Sequence, residues 1–256
     1  MRIVMLGAGG KLGQLLEPRW PGEAVWTARS DVDIADPNTL TRTLNGADAV
    51  FCLAGVTPGS TASIELNATL ARQTLDAAQG AHVFLFSSAA VYGALQGPLT
   101  EDGPTSPQSP YGKSKLEMER LAARHPNPST SLRLGNVAGA DAILGGWKPG
   151  FQLDQFSDNT TPARSYIGPG KLARVLNALA RANTLPKILN IAAPKTVSMG
   201  ALLDAASLKW TPQPATDRTI ANVHLDTSTL ERFTSFTDSD STAAGIVADW
   251  KQGPRR

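Results

Sequence analysis

Apolar positions along the chain come in short β-type bursts separated by longer stretches with helical spacing. Ile3–Leu6, Ala24–Thr27, Ala49–Leu53 and Val83–Ser87 read as strands, while helical spacing begins near Lys11, at Pro37 and across Ser63–Ala78. Repeated strand-helix alternation predicts an α/β fold with a Rossmann-type, doubly wound parallel sheet, whose strands are covered on both faces and so read as near-continuous apolar runs. The boundaries have local causes. Asp36-Pro37 supplies a side-chain cap and a proline for the first helical turn, and Gly80 stops the Ser63–Ala78 helix.

Beyond Leu132 the pattern loosens. Gly145–Gly150 and Asp158–Pro162 are rich in turn formers, a helix is expected over Lys171–Ala182, and a strand over Ile188–Ile191. From Ala193 onward the elements are short, interrupted by Pro194, Pro212 and Pro214, and they close with a helical Ser241–Trp250 segment. This organisation predicts a dinucleotide-binding domain over residues 1–135 and 166–193, with a small substrate-binding region over 136–165 and 194–256. Pro254–Arg256 reads as a frayed tail.

Charge narrows the partners. Lys+Arg 24 against Asp+Glu 22 leaves a net charge of +2, and no basic run is interleaved with aromatics, so nucleic acid is not an expected partner. The apolar run after Met1 is too short for a signal segment and no stretch reaches membrane-spanning length, so a cytoplasmic location away from membranes is expected. The single cysteine, Cys52, lies in a strand-like run and reads as packing. His82, His125 and His224 are scattered without metal-ligand spacing, so no metal is expected. Trp147, Trp210 and Trp250 fall in the looser regions, where they either wall a pocket or fill a small core.

Two clusters carry chemistry. Gly7, Gly10 and Gly13 follow the first strand and open a helix, the context in which glycine lets backbone N–H groups approach a pyrophosphate at a helix start; Lys11 lies within the turn. Where the second strand ends, a carboxylate would hold the ribose diol of NAD; here the run is Ala28-Arg29-Ser30. A guanidinium matches a phosphate with two parallel hydrogen bonds, so Arg29 and Ser30 favour NADP over NAD, the alternative being that Arg29 is a solvated charge.

The second cluster lies further on. Phe84–Gly93 begins as a buried strand and ends in small and polar residues at the carboxyl end where open sheets bind ligands. Pro107-Gln-Ser-Pro110 then starts a helix on which Tyr111 and Lys115, four residues apart, share a face. The Lys115 ammonium would favour the Tyr111 phenolate and lower its titration, normally near pH ~10. Ser88 would bind the reacting oxygen while Tyr111 exchanges its proton and a nicotinamide exchanges a hydride.

Taken together these motifs resemble the extended short-chain dehydrogenase/reductases, the NAD-dependent epimerase/dehydratase family. Ser87-Ser88-Ala-Ala-Val-Tyr92-Gly93 and Thr105–Lys115 are similar to segments of nucleotide-sugar 4-epimerases, and Arg29–Pro37 is similar to the second-strand region of dehydrorhamnose reductases. The likeness continues through Glu65-Leu-Asn67-Ala-Thr69, Leu132–Gly139, Arg164–Ile167 and Asn190–Pro194. It implies that Asp33 and Ile34 contact adenine, that Ala54 and Gly55, after the family's fourth strand, line the cofactor, and that Tyr92, Asn136 and Arg164 face the substrate, Arg164 at a phosphate-holding position. Arg164-Ser-Tyr-Ile167-Gly-Pro-Gly170 departs from the family's Arg-Asp-x-Ile-His-Val-x-Asp, and the chain is short for a nucleotide-sugar epimerase, so a reduced substrate pocket is expected.

The expected function is an NAD(P)-dependent oxidoreductase acting at a hydroxyl or carbonyl of a carbohydrate-like small molecule. The alternatives are an epimerase or dehydratase that retains its cofactor, and a protein that binds the dinucleotide without catalysis. A homodimer through the Tyr111–Arg124 helix is expected by analogy with the family.

Overall fold

The computed structural model describes residues 1–58, 60 and 62–253. The Pro254–Arg256 tail lies outside the described residues. Six strands, β1 (Ile3–Leu6), β2 (Val25–Thr27), β3 (Ala49–Cys52), β4 (His82–Ser88), β5 (Ser129–Leu134) and β6 (Ile188–Ile191), form one sheet in the order β6-β5-β4-β3-β1-β2. Every neighbouring pair is parallel. Seven helices accompany them: α1 (Lys11–Leu16), α2 (Pro37–Leu44), α3 (Leu66–Ala77), α4 (Pro110–Arg124), α5 (Pro169–Ala180), α6 (Met199–Ala206) and α7 (Ala243–Lys251).

The strands are buried on both faces, as their unbroken apolar runs require. Ile3, Met5, Phe51, Phe84 and Phe86 point to one side, where α1 and α5 cover them. Val4, Leu6, Val50, Val83 and Leu85 point to the other, beneath α2, α3 and α4. Phe51 and Phe84, on adjacent strands, stack with centroids 4.3 Å apart, and each such ring removed from water contributes about 2–3 kcal/mol. The doubly wound arrangement expected from the alternation is the one observed, with the helix starts where their caps put them. The Asp36 side chain accepts from Asn38 N–H at 3.1 Å ahead of Pro37, and Ser109 accepts from Gly112 N–H at 3.0 Å ahead of Pro110.

Two details differ from the sequence reading. The strand that precedes Ala54 and Gly55 is the third along the chain, because residues 28–36 form turns that return directly to α2. A second sheet also gathers segments from both halves of the chain: Thr196–Ser198, Ala163–Ile167, Asn222–Leu225 and Pro98–Leu99 lie side by side, with Asn136–Val137 paired to Ala163–Ile167. Ile143, Leu144, Tyr166, Leu202, Leu203 and Ile246 form a separate core there, against which Trp147, Trp210 and Trp250 pack.

Candidate active site

The strand order reverses direction between β1 and β3, and a cleft of about 660 Å³ opens at their carboxyl ends. Gly7, Gly10, Arg29, Ser30, Asp33, Ile34, Ala54 and Gly55 all line it, so residues from the three loops that follow β1, β2 and β3 meet in one place. Gly7 has φ +95°, and a Cβ there would lie 2.7 Å from the Ala54 nitrogen. At Gly13 a Cβ would lie 2.3 Å from the Ala8 carbonyl oxygen, whereas at Gly9 the nearest atom is 3.7 Å away. Steric demand therefore falls on the Gly7 and Gly13 positions and not on Gly9. The turn is tied to β2, since the N–H groups of Gly7 and Ala8 both donate to Thr27 O, at 2.8 and 2.9 Å. Gly10 caps α1 without any side chain. Lys11 is exposed at the first position of α1 and does not line the cleft.

Arg29 and Ser30 stand exposed at the rim. Asp31, which sequence reasoning passed over, shapes this corner: its carboxylate accepts from Ala28 N–H at 2.8 Å and from the Ser30 hydroxyl at 3.2 Å. The Asp33 carboxylate accepts from Ala35 N–H at 3.0 Å, which holds the turn that presents Ile34.

The second group of residues assembles where β4 meets α4. Ser88 ends β4, and its hydroxyl accepts from Ala90 N–H at 3.2 Å, fixing the tight turn that follows. A Cβ at Gly112 would lie 2.5 Å from Ala90 O, so the first turn of α4 rests directly on that turn. This close approach sets Tyr111 beside Ser88. Burial pushes the Tyr111 phenol above its ordinary value, and a hydrogen bond from Ser88 opposes the rise. The expected lowering by Lys115 is thus corrected: Lys115 Nζ lies 5.7 Å from the centroid of the Tyr111 ring, and burial dominates the phenol's titration.

Lys115 is 5% exposed. With no carboxylate beside it, burial pushes its ammonium down to about 8. Its Nζ donates to Asn67 Oδ1 at 3.2 Å. Asn67 is the residue sequence reasoning missed, although it stood within Glu65-Leu-Asn67-Ala-Thr69. Buried in α3, it accepts from Val56 N–H at 3.0 Å and donates to Val56 O, Ile64 O and the Ser114 hydroxyl, at 3.0–3.1 Å. It therefore clamps the loop after β3 onto α4. A Cβ at Gly55 would meet Asn67 Oδ1 at 3.0 Å and Lys115 Nζ at 3.3 Å. The loop after β3 thus lies between the cleft, which it lines through Ala54 and Gly55, and Lys115; Ser88, Tyr111 and Lys115 themselves are not among the residues lining the cleft.

The residues expected to face a substrate are placed unequally. Asn136 is half-buried and paired in register with Tyr166, whose hydroxyl donates to Asp141 Oδ2 at 2.7 Å. Arg164 is half-buried, its guanidinium bonded to the carbonyls of Ala163 and Ala221, at 2.7 and 3.4 Å. Among the described residues it has no acidic partner. Tyr92 corrects the expectation. It is fully buried, its hydroxyl donating to Asn190 Oδ1 at 2.8 Å and accepting from Arg133 Nη1 at 2.9 Å, so a substrate does not reach it.

The three histidines occupy unrelated places, His82 on Thr130, His125 on Asp76 and His224 near Pro194 O. No group of three or more potential metal ligands occurs among the described residues. No helix among them is long and apolar enough to cross a membrane.

The family model described as the NAD dependent epimerase/dehydratase family matches residues 3–147. The chain belongs to this family of enzymes. A UDP-glucose 4-epimerase of Azospirillum brasilense is 50% identical over 64 residues, which are 23% of this chain and 18% of that protein. A UDP-glucose 4-epimerase of Corynebacterium glutamicum is 42% identical over 87 residues, 31% of this chain and 26% of that one. The matched segments thus span about a quarter or less of those relatives. Among solved structures, a UDP-glucose 4-epimerase from Stenotrophomonas maltophila, with bound NAD and formylated UDP-arabinopyranose, superposes with a TM-score of 0.78 at 20% identity, covering 98% of this chain and 97% of that one. RMD from Pseudomonas aeruginosa, complexed with NADPH, gives 0.73 at 18% identity and 98% coverage of both chains. At these identities the likeness is one of fold. Like them, this family member is built on a parallel sheet with helices on both faces.

Proposed function

We propose that this enzyme moves a hydride between a nicotinamide dinucleotide and a hydroxyl-bearing or carbonyl carbon of a carbohydrate-like small molecule, with Ser88, Tyr111 and Lys115 as its catalytic residues. The observation that carries the reading is the position of Gly55, which lines the cleft and leaves so little room beside Lys115 that a Cβ would lie 3.3 Å from its Nζ. The residues fit a dinucleotide: the cleft has the volume of a ligand pocket, its wall at Gly7 has no room for a Cβ beside Ala54, and glycine at position 13 lets α1 close onto Ala8 behind it.

Gly7 and Gly10 serve the pyrophosphate, Gly13 lets α1 start close behind them, Asp33 and Ile34 serve the adenine, and Ala54 and Gly55 the remainder of the cofactor; Lys11 lies outside the cleft. When bound, the nicotinamide ring supplies or accepts the hydride. The Ser88 hydroxyl donates a hydrogen bond to the reacting oxygen of the substrate. Tyr111 gives its proton to that oxygen in reduction and takes it in oxidation. At neutral pH an ammonium that titrates at about 8 is mostly charged, so Lys115 offsets the negative charge that develops on Tyr111. Residues 136–165 and 194–256 form the substrate-binding region, where Asn136 and the acid-free guanidinium of Arg164 meet the substrate.

NADP is favoured over NAD because Arg29 stands at the cleft rim with no ion pair among the described residues, beside the Ser30 hydroxyl. Both cofactors occur among the fold relatives, NAD in the Stenotrophomonas epimerase and NADPH in RMD. The exposed face of α4 carries Lys113, Glu117, Arg120 and Arg124, so a homodimer through this helix would rest on ion pairs instead of apolar burial.

The second reading, epimerisation or dehydration with a retained cofactor, is favoured by the names of the sequence relatives. Titration with NADPH and NADH, alongside a test for cofactor already bound after purification, separates the two. Preference for NADPH that disappears in Arg29→Ala supports an exchanging reductase. Co-purified NAD without any preference for the 2′-phosphate overturns the Arg29 argument and leaves the epimerase reading standing.

A further inference from the structure

Tyr111 and Lys115 are followed one turn later on α4 by Glu119, so the three share a face at a spacing of four residues. Glu119 is 4% exposed, and its carboxylate is fully engaged across the sheet. Oε1 accepts from the Ser87 hydroxyl at 2.5 Å, and Oε2 accepts from Arg133 Nη2 at 2.8 Å, with Arg133 Nε shared between the two oxygens. Ser87 directly precedes Ser88 on β4, and Arg133 belongs to β5.

The remaining donor of Arg133 reaches away from the helix. Nη1 donates to the Tyr92 hydroxyl at 2.9 Å and to Glu101 O at 3.2 Å, and Asn190 beyond it holds Leu99 O and Asp226 O, at 2.8 and 3.0 Å. A buried ion pair is on average no more stabilising than the apolar residues that would replace it, so stability alone gives this pair no purpose. Its geometry gives it one: it holds α4 at a single height on the end of β4.

We propose that Glu119 is a positioning residue for the Ser88–Tyr111 pair, clamping α4 to β4 through Ser87 and, through Arg133, fixing both against the Leu99–Glu101 segment of the second sheet. It makes no contact with the reacting groups and acts only through their placement. The proposal rests on the reading of Ser88 and Tyr111 as reacting residues.

The chain has three tyrosines, of which Tyr92 and Tyr166 are fully buried, so Tyr111 is open to spectrophotometric titration of its phenolate against a Tyr111→Phe reference. Ser87→Ala removes the hydrogen bond between β4 and α4 and leaves the Glu119–Arg133 pair in place. The expected result is a Tyr111 titration displaced upward by about half a pH unit or more, because the phenolate loses the Ser88 hydroxyl. Ser87→Thr, which keeps a hydroxyl, should restore the wild-type curve, and Glu119→Gln should reproduce the displacement. NADPH affinity should stay within about twofold in Ser87→Ala, since no cleft-lining residue changes. A merely structural network would lower the thermal midpoint and leave the titration unmoved, and curves for Ser87→Ala and wild type that superimpose would overturn the proposal. Unimpaired turnover in Tyr111→Phe would instead sink the functional reading, while the titration would still report on placement.

Discussion

Replacing Lys115 by methionine should stabilise the protein at neutral pH while abolishing its proposed chemistry. The side chain is 5% exposed and, among the described residues, its Nζ has only the neutral Asn67 carbonyl as a hydrogen-bonding partner. The difference between its ordinary 10.5 and the value of about 8 in the folded protein corresponds to roughly 3 kcal/mol of unfavourable charge burial. The sign follows from which state binds the proton more tightly. Below about pH 8 both states are protonated and the folded one carries the whole penalty; between about 8 and 10.5 the folded state sheds its proton first and the penalty fades as pH rises. Methionine fills similar space without charge, and loss of the Asn67 hydrogen bond returns about 1 kcal/mol. The net gain near pH 7 is therefore about 2 kcal/mol. Urea unfolding of the two proteins at pH 7 and pH 10 checks this, because every other titrating group cancels in the comparison. A Lys115→Met variant less stable than wild type at pH 7, or a stability difference that does not shrink towards pH 10, would refute the reasoning.

Other expectations follow from the same geometry. Gly13→Ala forces a Cβ to within 2.3 Å of Ala8 O and should cost about 2–4 kcal/mol in stability together with most of the dinucleotide affinity, whereas Gly9→Ala, with 3.7 Å of clearance, should change both little; calorimetry and cofactor titration test the contrast. Tyr92→Phe should cost about 1–3 kcal/mol by leaving Asn190 and Arg133 short of a partner, with dinucleotide affinity unchanged, as thermal unfolding and titration would show. Arg29→Ala should weaken NADPH binding about tenfold or more and NADH binding by less than about twofold, and equal losses for the two cofactors would contradict the assignment.

The parts of the fold visible in the sequence are those in which one residue's surroundings are repeated along an element. Strands β1 and β3 are apolar at every position because helices cover both faces, and α2 and α4 begin at a capping side chain followed by proline. The second sheet gave no such signal. Its strands are two to five residues long, and one begins at Pro98, so neither alternation nor length marks them. The site divides the same way. Gly7, Gly13, Tyr111 and Lys115 are legible from local spacing, because a turn or a single helix face sets their geometry. Asn67 and Glu119 depend on partners far along the chain, Lys115 for one and Ser87 and Arg133 for the other, and neighbouring sequence says nothing about them. Tyr92 was misassigned because it lies near Ser88 in sequence; the short helical turn over Ala89–Val91 carries its ring inward instead, onto Arg133 and Asn190.

In the proposed mechanism one cleft holds a nicotinamide dinucleotide with its reactive end at Ser88, Tyr111 and Lys115. A crystal structure of the protein with NADPH tests it most directly. The adenosine end is expected between Arg29 and Ile34 and the nicotinamide end beside Tyr111 and Lys115. A dinucleotide bound elsewhere, or with its nicotinamide remote from Tyr111, would contradict it.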